Sequence, residues 1–311
     1  MRHRCRDRAA QNFGGEIVKT GFRVFLAAFV ALGASWFGFV YGPLKQLGGA
    51  KETVVLQSGD KWPLQRTGDA TLGLQVYRAN ACAACHTEQI RQTGAANEIS
   101  ITSLGVHQAA DLKDFIASLL GTVPELMNFS NTITGNLAGW NGELPKVLYS
   151  GAEDTVVLML GDKLKAVGVK TEAHVIARGA DITRGWGMRH SVAADYLYDS
   201  PVQLGSLRAG PDLANIGIRA PDVNWQLQHL YAPRSLVKNS TMPAFRYLFT
   251  VKKIGAQPAP DALVLPKEFA AADGLEVVPT AEAKRLAAYL VSLKNNVPLY
   301  EAPFTPITAA K

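Results

Sequence analysis

Between Arg23 and Lys45 the chain runs from Val24 to Leu44, 21 residues, without a charge. Coiled as a helix, that run extends roughly 31 Å, about the thickness of a bilayer's hydrocarbon core. Trp36, Phe37, Phe39 and Tyr41 crowd its C-terminal end, where aromatic side chains settle at a membrane interface. Pro43 and Lys45 close it. Residues 1–23 hold Arg2, Arg4, Arg6, Arg8, Lys19 and Arg23 against Asp7 and Glu16. Positive charge stays on the cytoplasmic side, so everything after Lys45 is expected outside. A cleaved signal peptide also fits the basic start and the small residues from Gly33 to Ser35. The run continues past them into aromatics, which favours a retained anchor.

The chain's net charge is +6 over 311 residues, but the leader alone accounts for +4 of it. The remainder offers no basic face for DNA or RNA, so no nucleic-acid partner is expected. Three cysteines are too few for a disulfide scaffold. Cys5, on the cytoplasmic side, is expected as a reduced thiol.

Glycines 48, 49, 59 and 68 with Pro63 mark residues 45–68 as a linker. A helix is expected from about Asp69, its N-cap, to Ala81, with Leu72, Val76 and Ala79 at helical spacing. A second helix, capped by Thr280, spans about Ala281 to Lys294, with Ala283, Leu286, Ala287, Leu290, Val291 and Leu293 on its apolar face. Residues 95–180 read as a small α/β insert. Leu112, Phe115, Ile116 and Leu119 mark a helix stopped near Gly121. Lys146–Tyr149, Thr155–Leu160 and Ala173–Ala177 read as strands, with a helix at Asp162–Val167.

The helix from Asp69 runs straight into Cys82-Ala83-Ala84-Cys85-His86. Two thiols at this spacing add to the two vinyl groups of one haem, and the adjoining His86 becomes its proximal iron ligand. Three other readings compete. A structural zinc site wants four ligands, whereas two exported cysteines and scattered histidines are present. A thioredoxin-like pair wants a strand before the motif. A plain disulfide leaves His86 unexplained.

The sixth iron ligand separates an electron carrier from a gas-binding or peroxide-using site. Met1 is the initiator, and Met127 and Met159 read as packing. Met188, in a glycine-rich loop, is a weaker candidate. Met242 is preferred, in the polar loop Asn239-Ser240-Thr241-Met242-Pro243, where Pro243 stiffens the backbone. His107, His174, His190 and His229 are bis-histidine alternatives, and packing remains the alternative for Met242.

This order of helix, CxxCH, Gly-Pro loop, Met-Pro loop and terminal helix resembles a class I cytochrome c. In that comparison Gly73 and Tyr77 face Leu286 and Tyr289. A narrower resemblance lies in 181–249: Asp195-Tyr196-Leu197-Tyr198-Asp199-Ser200-Pro201, Leu204 to Leu213, His229-Leu230-Tyr231-Ala232-Pro233-Arg234, and Met242-Pro243-Ala244-Phe245. With Cys82–Arg91 and one N-terminal anchor, the series is similar to the mono-haem subunit II of cbb3-type cytochrome c oxidases, the FixO/CcoO family. About 85 residues separate the two matching stretches, more than the family usually has.

The resemblance implies one covalent haem c on Cys82 and Cys85, with His86 proximal and Met242 distal. It places Gly210 and Pro211 beside the imidazole, with a carbonyl near Pro211 accepting from Nδ1. Arg208, Arg219, Arg234 and Trp225 become candidates for the haem propionates, against a plain reading as solvent-facing groups. Tyr196 and Tyr198 are packing contacts or contacts to a partner. The expected architecture is mainly α. It has a leader (1–23), a transmembrane anchor (24–44), the linker, and a cytochrome c domain (69–94 and 181–311) interrupted by the insert. The expected function is electron transfer from a donor cytochrome to a haem–copper catalytic subunit, in company with a second cytochrome c subunit. The chain would sit single-pass in a bacterial inner membrane with its haem domain periplasmic, and would carry no catalytic site of its own. An anchored cytochrome c serving another reductase, such as a nitric oxide reductase, is the first alternative. A haem sensor or peroxidase with an open sixth position is the second, and a non-haem interaction protein the third.

Overall fold

The structure is a computed structural model that describes residues 20–55, 58–299 and 302. Cys5 and most of the basic leader lie outside these. The chain divides into two units, 1–52 and 53–311. In the first, helix α1 runs Thr20–Gln46, 27 residues and about 40 Å long, with a π-helical stretch at Phe37–Tyr41. It overruns the expected 24–44 at both ends. Its apolar side chains, Phe25, Phe29, Phe37 and Phe39 among them, are exposed. An unburied apolar helix of this length is what a bilayer anchor requires. Trp36, Phe37 and Tyr41 cluster at its far end, with the Lys45 ammonium over the Tyr41 ring.

The second unit opens with a two-stranded hairpin, β1 (Thr53–Val54) and β2 (Lys61–Trp62). The expected linker is therefore not free chain: the Trp62 indole N–H donates to Asp195 at 2.7 Å. Helix α2 follows at Asp69–Ala79. Gly68, at φ 58°, is its N-cap, so Asp69 is a first-turn acid and not the cap. The helix stops two residues before Ala81, which adopts a left-handed φ of 51° and turns the chain into Cys82.

Strand β3 (Gly94–Ser103) comes next, then α3 (Ala109–Thr122) and the short helices α4 (Pro124–Met127) and α5 (Ser130–Leu137). Strand β4 (Lys146–Gly151), helix α6 (Asp154–Ala166), strand β5 (Lys170–Arg178) and the single turn α7 (Ala180–Thr183) complete this stretch. The expected strand at Thr155–Leu160 is wrong, because these residues form the first half of α6. Val156, Val157, Leu160 and Leu164 are buried while Leu158 is 65% exposed. That is a helical stripe, which a short all-apolar run conceals. The expected βαβ unit is split, since β3 lies between β4 and β5 and is antiparallel to both. Ile99, Ile101, Leu112, Ile116, Leu148 and Leu160 build a core belonging to this stretch. Met159 packs against that core, whereas Met127 is 53% exposed and is not the packing residue expected. The stretch leaves and returns at one point, where the Thr93 N–H donates to the Arg178 carbonyl at 2.9 Å.

Beyond it lie α8 (Ile216–Arg219), α9 (Val223–Tyr231), α10 (Pro233–Leu236), the strand pair β6 (Phe249–Lys253) and β7 (Leu275–Pro279), and α11 (Ala281–Ser292). Thr280 caps α11 by accepting from the Ala283 amide. Leu286, Ala287, Leu290 and Leu293 join Leu227, Leu230 and Tyr77 in a second core.

Helices α2 and α11 cross at Gly73. A methyl added there would stand 1.9 Å from the Arg285 carbonyl oxygen and 2.7 Å from Tyr289 Cβ. The close approach stacks Tyr77 beside Tyr289, ring centres 5.2 Å apart. Gly73→Ala must separate the helices, and overpacking of this kind costs about 1–3 kcal/mol. Urea unfolding of the full chain in detergent should show that loss, and an unchanged midpoint would contradict the crossing.

Candidate functional site

The turn after α2 places Cys82, Cys85 and His86. The Cys85 and His86 amides donate to the Cys82 carbonyl at 3.1 and 3.0 Å, so both thiols and the imidazole come off one tight turn. Cys82 is partly buried against the second core and Cys85 is exposed; both are free. Burial pushes the Cys82 thiol up to about 11.

A second segment, 204–213, wraps this turn through its backbone. The amides of Ser206, Gly210 and Leu213 donate to the carbonyls of Ala83, Cys85 and Thr87 at 3.2, 3.0 and 2.7 Å. The Glu88 amide donates back to the Leu204 carbonyl at 3.2 Å. Asp212 is fully buried. It accepts from the Thr87 hydroxyl at 2.6 Å and from the Gln89 and Ala214 amides at 2.8 and 2.9 Å.

His86 is held by the same segment. Its Nδ1–H donates to the Pro211 carbonyl at 2.8 Å. A carbonyl only accepts, so the proton sits on Nδ1 and the Nε2 lone pair is left for a ligand. Burial holds the imidazole below its ordinary pKa, partly offset by the Pro211 carbonyl and Asp212. A Cβ on Gly210 would lie 2.2 Å from the imidazole Cε1, and one on Gly205, at φ +78°, 2.1 Å from the His86 carbonyl oxygen. Only glycine fits at either place. Gly205 escaped sequence reasoning, because a lone glycine there reads as an ordinary turn.

Two residues after His86, Glu88 is buried. The Tyr289 hydroxyl donates to its carboxyl at 2.8–2.9 Å, and the Tyr196 hydroxyl donates to its backbone carbonyl at 2.8 Å. Burial raises the Glu88 pKa to about 8, against the lowering pull of Tyr289 and Arg66. The same burial, with the Glu88 charge, pushes the Tyr77 and Tyr289 hydroxyls up.

The remaining expected residues fall into different surroundings. Met242 is partly buried against the core that Cys82 also touches. Met188 is buried. Every guanidinium nitrogen of Arg208 is bonded to protein: to Asp181 at 2.6 and 2.8 Å, to the Gln89 carbonyl at 2.6 Å and to the Thr87 hydroxyl at 3.0 Å. This arrangement makes Arg208 a strut between the CxxCH turn and Asp181. Arg234 is exposed, its Nε–H donating at 3.2 Å to the Ser240 carbonyl in the loop before Met242. Arg219 donates to the Asp212 carbonyl, while its Nε is buried without a partner. Trp225 stacks on His229 with centroids 4.9 Å apart and planes 7° off parallel. His107 and His174 belong to the β3–β5 stretch, and His190 Nδ1 pairs with the Gln92 side chain at 2.6 Å. Of the four histidine alternatives, His229 is the one whose charge reaches His86.

These residues fit a haem. The donor set is two free thiols, an imidazole with Nε2 unclaimed and a thioether against the same apolar core. Among the described residues Asn215 Nδ2, Arg219 Nε and His229 Nδ1 are buried donors without partners, which a native interior rarely tolerates unless something else meets them. The class of protein that such a donor set would suit is a haem protein. Residues 179–289, about a third of the chain, match the family model described as cytochrome C oxidase, mono-heme subunit/FixO. Over that segment the chain is similar to the FixO family, which agrees with the resemblance read from the sequence. No curated protein matches the chain.

Asp212→Ala would strip the Thr87 hydroxyl and two buried amides of their acceptor. At about 1–3 kcal/mol for each orphaned buried group, the variant should lose at least 3 kcal/mol. Thermal denaturation followed by circular dichroism should show a melting point many degrees lower, and a near-native one would contradict the clamp.

Proposed function

We propose that the chain is the membrane-anchored, mono-haem c electron-transfer subunit of a cbb3-type haem–copper oxidase. It would pass single electrons from a donor cytochrome toward the catalytic subunit. The observation that carries this reading is the His86 imidazole, tied through Nδ1 to Pro211 by a loop within the family-matched segment and standing one residue after a CxxC pair.

A haem held there supplies a one-electron Fe(III)/Fe(II) couple. The chain's residues do the rest. Cys82 and Cys85 would hold the group covalently, so it is not lost in an exported compartment. His86 offers Nε2, its orientation and basicity set by the Pro211 carbonyl. Met242 offers a thioether, which favours the ferrous state and raises the potential. Leu227, Leu230 and Leu286 belong to the buried core that Cys82 and Met242 pack against, and would keep water from the group. Residues 95–180 form an insert in a cytochrome c domain made of 69–94 and 181–311. Its ends meet at Thr93 and Arg178, so its presence leaves the ligand loop undisturbed. Among the described residues one helix is long and apolar enough to cross a membrane, too few for a haem–copper core, so oxygen reduction is assigned to a partner subunit. With its basic leader on the cytoplasmic side, the chain would carry its haem domain in the periplasm of a bacterial inner membrane.

Met242→Ala is expected to lower the midpoint potential and open the sixth position to carbon monoxide. Potentiometric titration and a carbon monoxide difference spectrum read both, and unchanged values would remove Met242 from the site. Purification of the native membrane complex should yield copper and haem b with this chain. A copper-free complex would instead favour a different reductase.

A further inference from the structure

Five buried side-chain nitrogen or oxygen atoms lack a hydrogen-bond partner among the described residues. Four of them belong to Asn215, Arg219 and His229. Asn215 is fully buried with both amide atoms unmatched, and Arg219 lies one helical turn further along α8. His229 sits on α9, its ring held flat against Trp225. Helices α8 and α9 share one core with α11, through Ile216, Leu227, Leu230 and Leu286, and Arg219 and His229 each interact electrostatically with His86. Arg219 makes no ion pair among the described residues, because the Asp212 carboxylate near it is committed to Thr87, Gln89 and Ala214. Three unmatched N–H donors, one of them on a guanidinium without an ion pair among the described residues, are suited to an anionic acceptor. They are ill suited to a second metal ion, since the guanidinium would oppose the metal's charge.

We propose that His229 is a cofactor-contacting residue, donating its Nδ1–H to a haem carboxylate beside the Nε–H of Arg219. The proposal rests on the haem reading above and adds a residue to it. The parallel Trp225 ring fixes the imidazole plane, so the donor is oriented before the anion arrives. Nothing in this role requires the imidazole to titrate. A neutral donor lessens the pull of the carboxylate's negative charge on ferric iron, so removing it should favour the oxidised state.

The experiment uses the full chain, matured with haem in a host competent for c-type attachment and purified in detergent. His229→Phe keeps a ring against Trp225 without a donor, and His229→Asn replaces Nδ1–H with an amide N–H. The expected result is an unchanged low-spin spectrum in both, a lower midpoint potential in His229→Phe, and a potential near that of the parent in His229→Asn. Loss of covalent haem from His229→Phe alone supports the donor equally. An unchanged potential in His229→Phe, or equal shifts or equal haem loss in both variants, overturns the proposal. Loss of the low-spin spectrum also overturns it, because His229 would then be an iron ligand. A parent chain that carries no covalent haem would bring down the haem reading itself, an outcome visible before any variant is made.

Discussion

The hydrogen bond from His86 Nδ1–H to the Pro211 carbonyl is the contact on which the site depends. It fixes the tautomer, the plane of the ring and the direction of Nε2 together. It exists only because 204–213 lies along 83–88 through four backbone hydrogen bonds, with Asp212 buried between them. Two glycines make that contact close enough. Gly210 lets the loop reach the imidazole, and Gly205 lets it reach the His86 carbonyl. The same loop also grips the residues beyond: Arg208 joins Thr87 and Gln89 to Asp181, at the start of the turn after β5.

The second unit therefore carries a rigid turn on one core and a three-stranded sheet on another. The two share a narrow junction at Thr93 and Arg178, where the sheet's first and last strands pair. A long excursion that closes on itself adds little entropy cost to the turn it follows. Arg189, fully buried, ties the other side together. It pairs with Asp195 in bidentate fashion and donates to the Val297 carbonyl at 2.6 Å, while Asp195 also holds Trp62. Hairpin, tyrosine segment and C-terminal stretch are thereby joined through one ion pair.

Much of this was legible from residue types. Gly73 with Tyr77, the Thr280 cap and the carbonyl beside Pro211 follow from spacing and from the family resemblance, because each is a local or motif-borne requirement. Strand β3 was not legible. Its sequence, Gly94-Ala95-Ala96-Asn97-Glu98, has poor strand propensity, and it is a strand because β4 and β5 pair with it on both sides. The opposite error occurred at Thr155–Leu160, where five consecutive apolar residues match either period and only the tertiary surroundings choose the helix. The protein partners of Arg208 were not legible for a related reason. An arginine near a haem motif reads as an anion partner, whereas its actual partner, Asp181, is 27 positions away in sequence. Arg219 and His229 were both singled out in the sequence, but that their nitrogens are buried without partners among the described residues was not legible there, since it depends on what the fold places beside them.

On the function proposed above, this turn would hold one haem through two thioether bonds, with His86 as its axial nitrogen. Mass spectrometry of the denatured full chain, matured in a host that attaches haem c, tests it most directly. The account predicts a single species heavier by one haem, with the added mass on the peptide containing Cys82 to His86. A chain of unmodified mass with both thiols open to alkylation would contradict it.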